Sequence, residues 1–229
     1  MIAEKKGNIF NSKCQTIVNT INCLGVMGAG IAFEFRLRYP EMYAKYKNLC
    51  EQKIIQIGTL WIYTINSNKK ILNFPTKDDW KKPTKIEYLE RGLTKFVDTY
   101  RDKNISSIAF PLLGASHGGL SPDVSLSVMK KHLSKCEIPI EIWTYDSSAS
   151  DELFESFKVK FQSNDLRYLS KRTSIANSTL AKIENGLKEK KISKLSGLLN
   201  LQGVGEKTVK KIFQYMNSEP LNEQRTLFD

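Results

Sequence analysis

The chain reads as an α/β domain, a mixed sheet flanked by helices, followed by a small all-α domain, and three observations predict this. Over residues 1–146, apolar β-rich runs alternate with segments of helical period, the pattern of a sheet covered by helices. Beyond Ser150 the composition shifts, and residues 158–216 hold 13 Lys+Arg against 4 Asp+Glu. That last quarter also repeats itself at a fixed offset of 29 residues, and a fixed offset argues for stacked copies of one helical unit.

Taken in order, strands are expected at the N-terminus and over 15–22, 59–65, 70–74, 106–113 and 138–145. Helices are expected over 31–38, 41–52, 84–102 and 122–135. The clearest helix carries Ile86, Leu89, Leu93, Phe96, Val97 and Tyr100 on one face, a 3.6-residue period opposite charged residues. Thr84 reads as its N-cap, with Glu87 completing a capping box. The segment 147–165 reads as a connector leading into an amphipathic helix with Leu153, Phe154, Phe157 and Phe161. The expected boundaries are therefore 1–148 for the α/β domain, 149–164 for the connector helix, 165–218 for the basic module and 219–229 for a flexible tail.

With 229 residues and 41% apolar content, the chain can bury one sizeable core and a smaller one. Its formal net charge of +11 suggests an anionic partner such as nucleic acid or a phosphorylated ligand. Cys14, Cys23, Cys50 and Cys136 show no C-x-x-C spacing and have no nearby histidine, which argues against a zinc site and against a disulfide framework. The start of the chain has no apolar signal region, and no run approaches the roughly 20 apolar residues of a membrane span. We therefore expect a cytoplasmic protein with no membrane partner.

Chemistry should gather where the strands end, because ligands in open α/β sheets collect outside the carboxyl ends of the strands. Three such ends are loaded. The stretch V-N-T-I-N-C-L-G-V-M-G-A-G-I-A (18–32) runs from strand through Gly25, Gly28 and Gly30 into a helix. L-N-F-P-T-K (72–77) stops a strand at Pro75 and presents Lys77, and F-P-L-L-G-A-S-H-G-G-L (110–120) is a second Gly-rich turn before a helix. Glycine lets a backbone come close to a ligand, and free N–H groups at a helix start attract negative charge. Two such loops could hold two phosphates, which suits a pyrophosphate.

Together G-N-I-F, V-N-T-I-N, G-V-M-G-A-G-I-A, N-F-P-T-K and L-L-G-A-S-H-G-G-L resemble a macrodomain, the ADP-ribose-binding α/β fold. More narrowly they resemble the branch that contains the DarG antitoxins and the terminal ADP-ribose glycohydrolases. The resemblance implies that the first loop, with Gly25, Val26, Met27, Gly28, Gly30 and Ile31, holds the distal ribose and a phosphate. It implies that Gly114, Ala115, Ser116, His117, Gly118 and Gly119 hold the pyrophosphate. Asn8, Ile9, Asn19, Thr76 and Tyr145 complete the expected ADP-ribose-binding set.

By the same resemblance, Asn22 matches the residue on the distal ribose, and Lys77 matches the catalytic lysine proposed to attack the anomeric carbon of the ADP-ribosyl group. Partial desolvation behind Phe74 and Pro75 would suit a lysine to that task. His117 is a further catalytic candidate as a proton shuttle. Two positions depart from the branch: Asn8 stands where aspartate is usual, and the second loop carries Ala115, Ser116 and His117 and no acid. No metal and no cofactor are expected.

In the basic module, S-I-A-N-S-T-L-A-K-I-E (174–184) aligns with G-V-G-E-K-T-V-K-K-I-F (203–213). The second copy looks like a helix-hairpin-helix motif. Two copies would form a tandem unit as in RuvA-like DNA-binding domains, with Gly203, Val204, Gly205, Lys207, Thr208, Lys210 and Lys211 on nucleic-acid phosphates. The first copy also resembles a repressor-type helix-turn-helix with 178–184 as recognition helix, and a basic helical pair that only packs on a protein remains a third reading.

The function these readings imply is an ADP-ribosyl glycohydrolase that removes ADP-ribose from modified DNA bases, reversing a DarT-like transferase toxin as its partner. Two alternatives use the same residues: a non-catalytic ADP-ribose reader coupled to DNA, and a hydrolase acting on ADP-ribosylated protein carboxylates.

Overall fold

The computed structural model describes residues 1–189 and 192–218. The tail expected over 219–229 lies outside the described residues. The chain divides into two compact units, Met1–Ser147 and Ser148–Asp229, and each is considered by itself.

The first unit is built on one sheet of six strands: β1 (Ile2–Gly7), β2 (Thr16–Asn22), β3 (Trp61–Asn66), β4 (Lys69–Lys77), β5 (Ile108–Pro111) and β6 (Ile140–Tyr145). Their order is β1-β6-β5-β2-β4-β3. Every neighbouring pair is parallel except β3 with β4, so the carboxyl ends of five strands emerge along one edge. Helices α1 (Gly30–Arg38), α2 (Pro40–Glu51), α3 (Ile86–Thr99) and α4 (Pro122–Leu133) cover the sheet.

Both faces are buried, which explains the near-continuous apolar runs of the parallel strands. Neighbours in a strand point to opposite faces, and Ile71 and Leu72 accordingly join different cores. Ile71 packs with Ile21, Phe35, Met42 and Tyr46, on the α1/α2 side. Leu72 packs with Val18, Phe74, Leu89, Leu93, Phe96, Met129 and Leu133, on the α3/α4 side. Each such side chain contributes roughly 1.5–3 kcal/mol of transfer free energy.

Two local expectations are corrected. The strand expected to stop at Pro75 continues to Lys77. Pairing with β3 reaches only Trp61 opposite Asn73, so beyond Asn73 that side of β4 is an edge, where a residue without N–H is tolerated. The capping box at Thr84 is not made: α3 starts at Ile86 with Lys85 as a cap that makes no side-chain bond. Thr84 instead donates its backbone N–H to the carbonyl of Gly118 at 2.9 Å, drawn away by the second glycine loop.

Helix α3 presses so closely on β4 that Gly92 has no room for a side chain. A Cβ there would lie 2.6 Å from Cε1 of the buried Phe74 ring. Gly92→Ala is expected to destabilise the protein despite the roughly 1 kcal/mol gained in helix propensity, because overpacking a filled core costs typically 1–3 kcal/mol. A lowered midpoint in urea for Gly92→Ala checks this; a raised midpoint would contradict it.

The second unit is helical: α5 (Glu152–Gln162), α6 (Leu166–Thr173), α7 (Asn177–Lys188), a 3-10 turn (Leu195–Asn200) and α8 (Glu206–Ser218). Asp151 caps α5 by accepting from Phe154 N, and Asp165 caps α6 by accepting from Arg167 N and Tyr168 N. The 29-residue repeat is carried into the structure. The elements starting at Leu166 and Leu195 correspond, as do α7 and α8 starting at Asn177 and Glu206. The matched positions Leu169 and Leu198, Ile175 and Val204, Leu180 and Val209, Ile183 and Ile212 are all buried. Among the described residues, no helix is long and apolar enough to cross a membrane.

Candidate active site at the carboxyl ends of the strands

The chain leaves β2 toward β4 on one side and returns to β5 on the other, so the strand order reverses between β2 and β5. Such a reversal opens a crevice. The two strands pair only over Thr16–Ile17 with Ile108–Ala109, and beyond that they part. The Gly-rich segments that follow them, 23–30 and 112–121, border this opening.

The first loop is organised by Asn22. Its Nδ2 donates to Val26 O at 2.5 Å, and its Oδ1 accepts from Leu24 N at 2.9 Å and Val26 N at 3.3 Å. Tyr46 of α2 donates its hydroxyl to Asn22 O at 2.7 Å, a support that the sequence reading did not anticipate. Met27 is buried in the α1/α2 core, so only its backbone is available to a ligand. Cys23, in the same loop, has its thiol pushed up to about 11 by burial. It is protonated near neutrality and is no competing nucleophile.

The second loop bends through Ser116 at φ 51°, an uncommon conformation for a residue with a side chain. It closes on the first loop: the His117 ring lies so near Gly30, itself at φ 57°, that a Cβ there would be 2.9 Å from His117 Cδ2. Beneath it, Thr84 is buried and its Oγ1 has no hydrogen-bond partner among the described residues. A side chain at position 118 would meet that oxygen at 2.7 Å. Packing against Thr84 is thus the physical reason that the chain tolerates glycine and no acid there. Thr84 was read as a helix cap, and no sequence signal pointed to this role.

Lys77 reaches the same place from β4. A bulge between Ile21 and Asn22 shifts the register so that Lys77, rather than Thr76, stands opposite Asn22; bulges next to sites re-aim side chains in this way. The Lys77 ammonium donates to His117 O at 2.6 Å and to Trp80 O at 3.4 Å. Lys77, the Asn22 loop and the His117 loop therefore converge.

The other expected site residues distribute unevenly. Asn8 and Tyr145 lie at the ends of the neighbouring strands β1 and β6, which pair Gly7 with Tyr145. Asn8 is buried and its Oδ1 caps the 3-10 turn Ile9–Asn11 by accepting from Phe10 N at 3.1 Å, while Tyr145 is 54% exposed. Ile9 and Thr76 are also buried. Asn19 is fully buried within the sheet, where its Nδ2 donates to Asn73 Oδ1 at 2.8 Å and ties β2 to β4. Trp143 is buried with its Nε1 donating to Glu141 at 2.8 Å.

In the second unit the two hairpin turns are related by the same repeat. Gly203, at φ 82°, stands where the first copy has Ser174, at φ 54°. Each turn is approached by a lysine of the other copy. Lys211 of α8 donates to Ser174 O at 2.5 Å, and Lys182 of α7 reaches Gly203, its Nζ 2.6 Å from where a Cβ would stand. Residues 199–205 line a shallow hollow. Lys210 pairs with Glu206 at 2.7 Å on the exposed face of α8. Lys182 was absent from the expected contact set, although its match with Lys211 at the 29-residue offset was visible.

The first unit is thus an α/β domain with a mixed, mainly parallel sheet, whose two glycine loops clasp a crevice with a lysine at one end. Residues 18–129 match the Macro domain family, and the solved structure of the macrodomain of Mycobacterium tuberculosis DarG is similar, at 34% identity and a TM-score of 0.60. The match covers 62% of this chain and 97% of that one. The chain belongs to the macrodomain family. The macrodomain of Thermus aquaticus DarG is also similar, at 35% identity and TM-score 0.58, covering 64% of this chain and 98% of that one. Among curated relatives, the DNA ADP-ribosyl glycohydrolase of Mycobacterium tuberculosis is 40% identical over 123 residues, or 52% of this chain. A fusion protein of Thermosipho africanus, a DNA ADP-ribosyl transferase joined to a DNA ADP-ribosyl glycohydrolase, is 31% identical over 156 residues. The matches span only 35% and 40% of those two relatives' own lengths.

Proposed function

We propose that the protein is a DNA ADP-ribosyl glycohydrolase. The observation that carries this reading is the convergence of Lys77 with the two glycine loops, set by the Asn22–Lys77 register, in a domain 40% identical to a DNA ADP-ribosyl glycohydrolase. In this reading the adenosine end of the ligand lies toward Asn8, Ile9 and Tyr145. The diphosphate lies on the backbone of 114–119 and 25–31, and the distal ribose is presented to Lys77.

The chemistry is displacement at the anomeric carbon. The glycosidic bond to the base breaks and its electron pair leaves with the base; water supplies the hydroxyl of released ADP-ribose and, in sum, the proton taken by the base. Either Lys77 itself attacks first or it orients the water that does. A lysine attacks only through a free lone pair, so the Lys77 ammonium must first pass a proton to water, while His117 O and Trp80 O accept from its remaining N–H groups and orient the nitrogen. Asn22 acts as a positioning residue, since its amide shapes the loop. The His117 ring, seated on Gly30, keeps the two loops together.

The basic unit is read as a tandem helix-hairpin-helix module that holds DNA through phosphate, in support of which stand the paired turns, the α8 N-terminus after Gly205, and Lys182, Lys207, Thr208, Lys210 and Lys211. Tethering raises the local concentration of the macrodomain on the polymer. The fused relative supports a DNA ADP-ribosyl transferase as the opposing partner.

The test is release of ADP-ribose from an ADP-ribosylated single-stranded oligonucleotide, run beside a protein ADP-ribosylated on carboxylates. Turnover of the oligonucleotide supports the assignment; tight binding without turnover, or turnover of the protein alone, overturns it. Gly30→Ala should weaken ADP-ribose binding about 10-fold or more. A left-handed φ costs a non-glycine residue roughly 1–2 kcal/mol, and the new methyl would push His117 out of the junction. Calorimetric titration with ADP-ribose measures this, and unchanged affinity would remove the clasp.

A further inference from the structure

The residue that follows the Lys77 turn is out of place for a folded surface. Trp80 is 48% exposed, although tryptophan is buried heavily on average. Its backbone is nevertheless fixed. Asp78 O accepts from Cys23 N of the first loop at 3.3 Å, and Lys82 N donates to Asp79 O at 3.1 Å. The two aspartates turn their carboxylates onto the turn itself, Asp78 Oδ1 accepting from Asp79 N at 2.7 Å and Asp79 Oδ1 from Lys81 N at 2.9 Å. The Lys77 ammonium lies 3.4 Å from Trp80 O. A hydrogen-bonded turn therefore holds a large exposed ring on the residue three positions after Lys77, whose backbone carbonyl the Lys77 amine touches.

The ring also carries a cation. Lys81 Nζ sits 5.3 Å from the centroid of Trp80, within the range of a cation–π contact. One face of the indole is thereby backed by positive charge, and the ring offers a planar apolar surface to a flat partner. Beyond the anomeric carbon, the group next to Lys77 in the reaction is the leaving group. A leaving nucleobase is flat, aromatic and joined to anionic phosphates; a leaving carboxylate offers no plane to stack.

We propose that Trp80 is a specificity-determining residue that stacks the nucleobase bearing the ADP-ribose, with Lys81 placed for the neighbouring phosphate. The occupant is an unpaired base of a single strand, because an exposed side-chain platform reaches the face of a base only when that base is out of a duplex stack. This rests on the glycohydrolase reading above and names the part of the site that distinguishes DNA from other ADP-ribosylated groups.

The experiment compares wild type, Trp80→Ala and Trp80→Phe on an ADP-ribosylated single-stranded oligonucleotide, with calorimetric binding of ADP-ribose measured for each. Loss of base stacking should lower kcat/KM on the oligonucleotide roughly 5- to 100-fold for Trp80→Ala, mostly through KM, with Trp80→Phe restoring most of it. The affinity for ADP-ribose should stay within about 2-fold in all three, since stacking on the leaving base leaves the ADP-ribose contacts untouched. Equal kcat/KM for wild type and Trp80→Ala would overturn the stacking role alone. A parallel loss of ADP-ribose affinity would overturn it as well, by moving Trp80 to the ADP-ribose side. Wild type without any release from the oligonucleotide would overturn the glycohydrolase reading on which it stands.

Discussion

Replacing Lys77 by alanine is expected to lower the rate of ADP-ribose release by at least about 100-fold while ADP-ribose still binds. Single-turnover release from an ADP-ribosylated oligonucleotide and calorimetry together check this. The separation of the two effects follows from the geometry. Lys77 meets the second loop through one carbonyl, that of His117, whereas the loops are held by Asn22, Tyr46, Thr84 and the His117–Gly30 junction. Removing the amine leaves the clasp with its own supports. A variant that turned over at the wild-type rate would show that Lys77 only bridges the loops, and that the reactive group lies elsewhere.

The triple variant Lys182→Ala, Lys207→Ala, Lys210→Ala should bind duplex DNA roughly 100-fold more weakly at 0.15 M salt, with the slope of log K against log salt shallower by about 2.7. Both figures follow from about 0.9 counterions released per phosphate contact. Lys211 is left in place because its bond to Ser174 O joins the two repeats, and its loss would confuse unfolding with loss of charge. Lys210 can be replaced at little cost to stability, since an exposed i,i+4 pair such as that with Glu206 contributes little. Fluorescence anisotropy over a salt series is the measurement. Unchanged slope would remove DNA from the partners of this module and favour a protein partner.

Much of the fold was legible in residues. Alternating apolar runs and 3.6-residue periods marked the strands and helices to within a few positions, because two-sided burial leaves a continuous apolar strand and one-sided burial leaves a stripe on a helix. The repeat was legible for a similar reason: Leu169 and Leu198, or Ile183 and Ile212, must fill equivalent places in two copies. The glycine loops were legible because a backbone that approaches a ligand, or a neighbouring ring, tolerates no side chain.

Other features could not be read. Pro75 looked like a strand end, yet its missing N–H costs nothing where β3 no longer pairs. Thr84 looked like a helix cap, yet the carbonyl of Gly118, 34 positions away, takes its N–H. Asn19 belongs to the site set that the resemblance implies, and its bond to Asn73, 54 positions away, could be read only from the pairing of β2 with β4.

The sequence by itself therefore determined which segments form the α/β layers, the two glycine loops, the lysine at a strand end and the doubled helical pair. All of these follow from the local preference of residues for burial, turn or helix. Only the tertiary structure decided that Lys77 stands opposite Asn22, that His117 closes on Gly30, that Thr84 underlies Gly118, and that Lys182 and Lys211 cross between repeats. Register, bulge and loop closure depend on contacts between residues far apart in the chain, and no local pattern of residue types specifies them.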